Sequence, residues 1–310
     1  MHADSDVRYL RDLNLLITRT CNAACAHCSV ESSPTDRRRM DDGVFSAALE
    51  FIEAFSKVRG SRRVLVTGGE PYLERRRLLA VVETAHRHGL RAGVETNGYW
   101  ARDYADGCQL VSKIAFDDYL ISASTFHAQF VPTAAVENAW RAAGAAGRIV
   151  KVRLSHRDPP TQEDRELHER LGRLIPAEDL LVEPVAPAGR ALSTGIALPQ
   201  PYEPLDDRCP ADGMLVDHRG MVHPCCNALS LIEGHALELG QTGAQPAEAI
   251  LARAQRDALF AALRERGLAW VTTRLNAQGL PTPDLGGRVC DRCHALFAAQ
   301  HLREALRAER

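Results

Sequence analysis

The sequence lacks several features that would point to a membrane or nucleic-acid protein. It has no run of about 18 apolar residues, so no transmembrane helix is predicted. Its formal net charge is −2, and this leaves no basic surplus to favour nucleic acid as the main partner. The first residues are polar and do not have the pattern of a signal peptide. We therefore expect a cytoplasmic protein that acts on neither nucleic acid nor membrane.

Composition sets the size of the fold and the use of its cysteines. The chain has 310 residues, of which 45% are hydrophobic, enough for one large domain or for a large and a small one. It has nine cysteines and no export signal. That combination indicates a reducing compartment and metal ligation, not disulfide bonds.

Short apolar runs alternate with helical patterns through the first two thirds of the chain. The six predicted strands are Leu13–Thr18, Arg63–Thr67, Arg91–Glu95, Tyr119–Ser124, Ile149–Leu154 and Asp179–Glu183. This alternation predicts parallel strands with right-handed crossovers. Six repeats are too few for an eightfold barrel. We expect an α/β fold, a partial (β/α)6 TIM barrel with reactive groups on the loops after its strands.

Prolines interrupt the pattern after Pro184, and this indicates a domain boundary near residue 190. Residues 1–190 would form the barrel and residues 191–310 a small α+β domain. The second part contains a predicted hairpin at residues 214–223, a helix near Pro246–Arg266 and a final helix from about Ala295.

Three cysteines lie close together in the stretch Cys21-Asn-Ala-Ala-Cys25-Ala-His27-Cys28, directly after the first strand. Thiolates are soft ligands, and three at this spacing must converge on one soft metal centre. A structural zinc site needs four protein ligands, so His27 or a distant cysteine would have to complete it. An iron–sulfur cubane held by three thiolates instead keeps one iron open for another ligand.

The cysteine spacing resembles the radical S-adenosylmethionine (radical SAM) superfamily. The resemblance implies a 4Fe–4S cluster on Cys21, Cys25 and Cys28, with S-adenosylmethionine on the open iron. The stretch Thr67-Gly68-Gly69-Glu70-Pro71 is similar to the one that receives the methionine amino group in that family. His27 stands where the family usually has an aromatic residue beside the adenine.

Polar residues at the later strand ends are further candidates for this site. By the same resemblance, cofactor contacts are expected from Glu95, Asn97, Ser122, Ser124 and Arg153. His127 follows the fourth strand and is expected at the barrel mouth as a catalytic residue. For His127, Arg153, His156 and Glu183, the sequence leaves substrate contact and a plain structural role equally open.

The carboxyl-terminal part has its own cysteine set: Cys209, Cys225, Cys290 and Cys293. Four thiolates complete a cluster without a vacancy, although zinc is an alternative for the same four residues. The pattern resembles the short auxiliary-cluster domain of radical SAM enzymes, called twitch. The longer SPASM form has three more cysteines, and these are absent here. Pro187–Ala191 resembles the family's usual link into such a domain.

Cys226 directly follows Cys225 and is the candidate hydrogen-atom donor, as in the radical SAM epimerases that this chain resembles. The predicted reaction is epimerisation of an aminoglycoside-like small molecule or a short peptide. The cofactors would be two 4Fe–4S clusters and S-adenosylmethionine, with an external one-electron donor of the flavodoxin or ferredoxin type. Dehydrogenation of an alcohol or peptide cross-linking, with the second cluster as electron acceptor, remains an alternative. A non-catalytic iron–sulfur or zinc protein is the alternative from another class.

Overall fold

The strands of this chain join into one sheet that crosses both predicted domains. The computed structural model describes residues 10–196, 207–225, 232–283 and 288–310. Its strands are Asp12–Thr18 (β1), Arg63–Gly68 (β2), Arg91–Thr96 (β3), Asp118–Ala123 (β4), Ile149–His156 (β5), Leu180–Pro184 (β6), Gly213–Val216 (β7), Met221–His223 (β8) and Gly240–Gln241 (β9). They lie in the order β6-β5-β4-β3-β2-β1-β7-β8-β9.

Strands β1 to β6 pair in parallel with their neighbours in chain order. The predicted α/β fold, a partial barrel, is therefore confirmed. The helices that follow the first five strands are Asp42–Ser56 (α1), Arg75–Arg87 (α2), Tyr104–Lys113 (α3), Thr133–Ala145 (α4) and Gln162–Gly172 (α5). Every carboxyl end of β1 to β6 consequently opens on the same side of the sheet, where the loops meet.

Local chemistry explains where these helices begin and end. Asp41 is the N-cap of α1, and its carboxylate accepts a hydrogen bond of 2.8 Å from the Val44 amide. Gly89 follows α2 with a φ of +72°, a conformation that glycine adopts without steric cost and that ends the helix. Phe51 and Phe55 of α1 are fully buried against the sheet.

The carboxyl-terminal part continues the sheet through β7, which pairs in parallel with β1. β7 and β8 form the predicted antiparallel hairpin. Among the described residues, the further α-helices are Arg190–Ser193 (α6), Ala247–Arg256 (α7), Ala258–Glu265 (α8), Leu268–Ala277 (α9), Val289–Ala298 (α10) and Arg303–Ala308 (α11). No helix in the described ranges is long and apolar enough to cross a membrane. The division near residue 190 stays a prediction.

Two predicted helices in this part are wrong in their bounds. The single helix expected at Pro246–Arg266 is broken at Asp257, whose backbone is extended and whose carboxylate caps α8 through the Phe260 amide. The final helix begins at Val289 instead of Ala295. Cys290 and Cys293 therefore lie one turn apart on α10, with their Cβ atoms on the same face of the helix.

Candidate active site

The cysteine loop lies directly after β1, at the carboxyl end of the parallel strands. Cys21 and Cys25 are buried, with 8% and 6% of their surface exposed. Backbone amides point at two sulfurs: Ala23 N donates to Cys21 Sγ at 3.4 Å, and Ser32 N donates to Cys28 Sγ at 3.3 Å. All three cysteines line one cavity of about 690 Å³. The loop thus presents three sulfurs to a common space with hydrogen bonds suited to thiolate ligands.

The protonation of these thiols tests whether the residues fit a metal centre. Burial raises the pKa of Cys21 and that of Cys25 to about 12. Such thiols stay protonated near neutral pH unless a positive charge lies among them. A coordinating metal supplies that charge and removes the protons. The donor set therefore fits a centre held by three thiolates.

The turn after β2, residues 68–70, packs directly against the backbone at the carboxyl end of β1. A Cβ atom on Gly69 would lie 2.2 Å from the Thr20 carbonyl oxygen, and one on Gly68 would lie 2.3 Å from that of Thr18. The Gly69 amide donates to Thr18 O at 2.7 Å, and the Glu70 amide donates to Thr20 O at 2.9 Å. Both amides are thus used within the protein.

Glu70 is fully buried behind this turn. Its carboxylate accepts hydrogen bonds from Tyr72 N at 3.0 Å, Thr96 Oγ1 at 2.8 Å and Asn97 N at 2.8 Å. Burial raises the pKa of Glu70 to about 7. The carboxylate therefore joins the turn after β2 to the turn after β3, and it acts on the cavity through its neighbours.

Asn97 connects the end of β3 to the cysteine loop. Its Nδ2 donates to Asn22 Oδ1 at 2.9 Å and lies 3.9 Å from Cys21 Sγ. Its Oδ1 accepts from Tyr99 N at 3.0 Å. Asn97 thereby fixes the position of the loop's first cysteine.

Three aromatic rings stand beside the second cysteine. His27 stacks on Phe126 with 4.8 Å between ring centroids and meets His127 edge-on at 4.9 Å. Ser124 Oγ and His127 Nδ1 are hydrogen-bonded at 2.8 Å. Burial, with Arg157 and Arg190 nearby, lowers the pKa of His27 to about 4. Burial, with His27 beside it, lowers the pKa of His127 to about 3, so both imidazoles are neutral at physiological pH.

A polar layer crosses the cavity from β2 to β6. Arg153 forms an ion pair with Glu95, and its Nε lies 3.1 Å from Glu183 Oε1. Thr67 Oγ1 donates to Glu95 Oε2 at 3.2 Å. These groups hold one another in place and leave both carboxylates at the cavity wall, where hydroxyl or amino groups could bind them.

The structure brings most predicted site residues together. The cavity is lined by Cys21, Cys25, His27, Cys28, Gly68, Gly69, Glu95, Asn97, Ser122, His127 and Arg153. Glu70 and Ser124 lie behind this wall and orient residues that form it. Their cofactor contacts, like the others, stay predictions.

The four cysteines of the carboxyl-terminal part also converge. Cys209, Cys225, Cys290 and Cys293 line a second, small cavity of about 30 Å³ with apolar walls. Burial raises the pKa of Cys293 far above its usual range, and the three other thiols beside it add to the shift. Cys290 also lines the large cavity, so the two sites share a wall. Cys226 lies outside the described residues.

Three buried side chains brace the segment that leads to Cys225. The amide of Leu237 donates to His235 Nδ1 at 3.1 Å, so His235 carries its proton on Nε2. His235 Nε2 donates this proton to His223 Nδ1, with 2.8 Å between the two nitrogens. His223 Nε2 in turn donates to Asp217 Oδ2 at 3.4 Å. His223 is two residues before Cys225, and this chain of bonds fixes the end of β8.

Sequence reasoning missed several residues that shape the site. Asn22 contacts Asn97, and Phe126 contacts His27. Asn22 is an intervening residue of the cysteine motif with no predicted role, and Phe126 belongs to no recognisable motif. Arg157 lies over the Phe126 ring at 4.1 Å. The sequence of Pro187–Ala191 predicted a link between two domains but did not indicate a part in the site.

The fold and the site together define a partial-barrel enzyme built around three thiolates. Residues 15–154 match the family described as the radical SAM superfamily. The chain is 24% identical over 307 residues to the "Putative peptide biosynthesis protein YydG" of Bacillus subtilis (strain 168), covering 93% of this chain and 92% of the relative. It is 33% identical over 98 residues to a "Probable GTP 3',8-cyclase" of Methanopyrus kandleri, covering 32% of this chain and 30% of that one.

Solved structures agree in fold. The structure of BtrN in complex with AdoMet and 2-DOIA gives a TM-score of 0.50 at 14% identity, covering 86% of this chain and 89% of that one. The structure of histidine-tagged anSMEcpe with bound AdoMet gives 0.56 at 12% identity, covering 95% and 92%. Residues 15–154 are therefore identified as a radical SAM domain.

The packing of the turn after β2 gives a first prediction. Gly69→Ala should lower the free energy of unfolding by about 2 kcal/mol or more, because the new methyl group must displace the backbone at Thr20. Gly144→Ala is the matched control, since nothing lies within 4 Å of its Cβ position in α4. The control should be stabilised by up to about 1 kcal/mol. Urea denaturation measures both, and equal stability of the two variants would contradict the packing argument.

Proposed function

We propose that this radical SAM enzyme acts on a peptide and inverts the configuration of one of its carbon centres. The observation that supports radical chemistry is one cavity of about 690 Å³, which is lined by the three cysteines of the loop, by the turn after β2 and by His27. Its volume suits a nucleoside-sized cofactor together with part of a substrate. A peptide is favoured over an aminoglycoside because YydG, matched over 93% of this chain, is described as a putative peptide biosynthesis protein.

When bound, an iron–sulfur cluster and S-adenosylmethionine would supply a 5′-deoxyadenosyl radical, which would take a hydrogen atom from the substrate. The chain's own residues orient and enclose this reaction. Cys21, Cys25 and Cys28 would hold the cluster, and the flat ring of His27 would lie against the adenine. Glu95 and Arg153 would bind polar groups of the cofactor or substrate, and His127 would line the space where the substrate radical forms.

Cys226 would complete the reaction. Its S–H bond gives a hydrogen atom to the opposite face of the substrate radical, so the substrate ends with no net change in oxidation state. The sulfur radical left on Cys226 then takes one electron from the external donor and one proton from solvent, and this restores the thiol. Cys225 is the neighbouring residue and would ligate a second 4Fe–4S cluster with Cys209, Cys290 and Cys293. An external one-electron donor of the flavodoxin or ferredoxin type would feed both clusters, and a cytoplasmic location remains a prediction.

One observation supports dehydrogenation as a second candidate. Cys290 lines both cavities, so a cluster bound there would lie next to the substrate. It could accept one electron from the substrate radical while a proton leaves to solvent, giving an oxidised product. The two reactions differ in whether the product gains a hydrogen from a thiol.

Formation of 5′-deoxyadenosine tests the radical chemistry. The full chain, reconstituted anaerobically with iron and sulfide, should release this nucleoside from S-adenosylmethionine under dithionite. A variant with Cys21, Cys25 and Cys28 replaced by alanine should release none. An alternative is a single metal ion at Cys25, His27 and His127, whose ligand atoms lie within 4.8 Å of one another. Zinc at that place and no nucleoside release from the wild-type chain would overturn the proposal.

A Cys226→Ala variant distinguishes epimerisation from dehydrogenation. We expect it to release 5′-deoxyadenosine while the epimeric product disappears, because the substrate radical loses its hydrogen donor. In deuterium oxide, the wild-type enzyme should place one deuterium at the inverted carbon of an accepted peptide, measured by mass spectrometry after hydrolysis. Normal epimerisation by the variant would remove Cys226 from the mechanism. An oxidised product without deuterium would favour the second candidate.

Iron analysis tests the second cluster. The reconstituted wild-type chain should hold about eight iron atoms, and Cys293→Ala should keep about four, because the first cluster is left intact. Cys108→Ala is the control, since Cys108 lies on α3 away from both cavities, and it should keep the wild-type content. A wild-type chain with about four iron atoms and one zinc would show that the second centre is a zinc site.

A further inference from the structure

Residues 189–194, a short segment that follows β6, lie against the cysteine loop of the first cluster. The Arg190 amide donates to Cys28 O at 3.0 Å. The Thr194 hydroxyl lies 3.4 Å from Ala26 O. Ala191 is buried in one apolar group with Cys21 and Cys25. The segment therefore contacts the loop along most of its length.

Gly189 makes this contact possible. Its φ is +53°, and a Cβ atom there would lie 2.3 Å from Ser29 O and 2.8 Å from Cys28 O. The backbones of the two segments thus touch without an intervening side chain. Any larger residue at this position would push the cysteine loop away.

The Arg190 side chain also binds the cysteine loop, on the same side as Gly189. Its Nη1 donates to Cys25 O at 2.7 Å, and its Nη2 donates to Ser32 O at 2.9 Å. One guanidinium thereby bridges two carbonyl groups that are seven residues apart and flank Cys28. A lysine carries the same charge but has no planar fork to bind both oxygens together.

The charge of Arg190 is directed at the cluster site. Within the described ranges no carboxylate forms an ion pair with it, in contrast to Arg19, which binds Val30 O of the same loop and is paired with Asp36 at 3.4 Å. The Arg190 guanidinium is hydrogen-bonded to the backbone carbonyl group of Cys25 itself. Its positive charge therefore acts on the metal ligands without being cancelled by an acidic partner.

We propose that Arg190 is a positioning residue of the first cluster: it holds the cysteine loop closed and makes the cluster easier to reduce. A 4Fe–4S cluster gains one negative charge on reduction. A nearby positive charge favours the reduced form, because charge and hydrogen bonding around a cluster set its potential. The inference rests on the proposed function, since it requires a cluster at Cys21, Cys25 and Cys28.

Potentiometric titration followed by electron paramagnetic resonance tests the proposal on the reconstituted full chain. The signal of the first cluster is identified by its change on addition of S-adenosylmethionine. Arg190→Gln should shift the midpoint potential to a more negative value, while Arg190→Lys should stay close to wild type. Both variants should lose iron to a chelator faster than wild type, because both lose the bridge between Cys25 and Ser32. Arg173→Gln, on an arginine with 77% of its side chain exposed, is the control for loss of one positive charge.

Several outcomes would overturn the inference. The inference is wrong if Arg190→Gln keeps both the midpoint potential and the iron retention of the wild type. It is also wrong if the midpoint potential of Arg173→Gln or of Arg190→Lys shifts as far as that of Arg190→Gln. If Arg190→Gln binds no cluster, the rate of iron loss from Arg190→Lys is the test. A rate equal to that of the wild type refutes the proposal that Arg190 holds the cysteine loop closed. A wild-type chain that binds no cluster refutes the proposed function itself. An intact wild-type cluster with an unchanged Arg190→Gln variant refutes this inference alone.

Discussion

The architecture depends on an electrostatic constraint at the end of β1. Two buried thiols, Cys21 and Cys25, lie where water cannot stabilise their ionised forms, and burial raises the pKa of each to about 12. A positive metal centre removes this constraint, because it replaces the protons and binds the sulfurs directly. Each element around the cavity then serves to hold these sulfurs in one arrangement.

Three strand ends contribute to that arrangement by different means. The turn after β2 lies against the β1 exit through two glycines with no room for a side chain. Glu70 joins this turn to the end of β3, and Asn97 continues the connection to the cysteine loop. The backbone after β6 closes the loop from the opposite side. The loop is thus fixed from both sides, by backbone contacts and by the Asn97 side chain.

Local patterns were sufficient to predict the barrel but not its long-range contacts. β1 to β6 were predicted within two residues of their bounds because buried parallel strands are short apolar runs with clear turn signals after them. The break at Asp257 escaped prediction because apolar residues keep helical spacing on both sides of it. The cavity residues at strand ends were predicted from the family resemblance together with the parallel topology, which places strand ends side by side. Phe126 and Asn22 could not be predicted, since their contacts depend on how the loops pack.

The pairing of β7 with β1 has a consequence for how the chain reaches its folded form. The Asn14 side chain donates to Met214 O at 2.9 Å, a contact between residues 200 positions apart. During synthesis β1 can join β2 early, but its other side stays without a partner until β7 has left the ribosome. An exposed strand edge of this kind attracts other unfinished chains. The strand that leads into the cysteine loop is therefore also the strand whose edge stays open longest during synthesis.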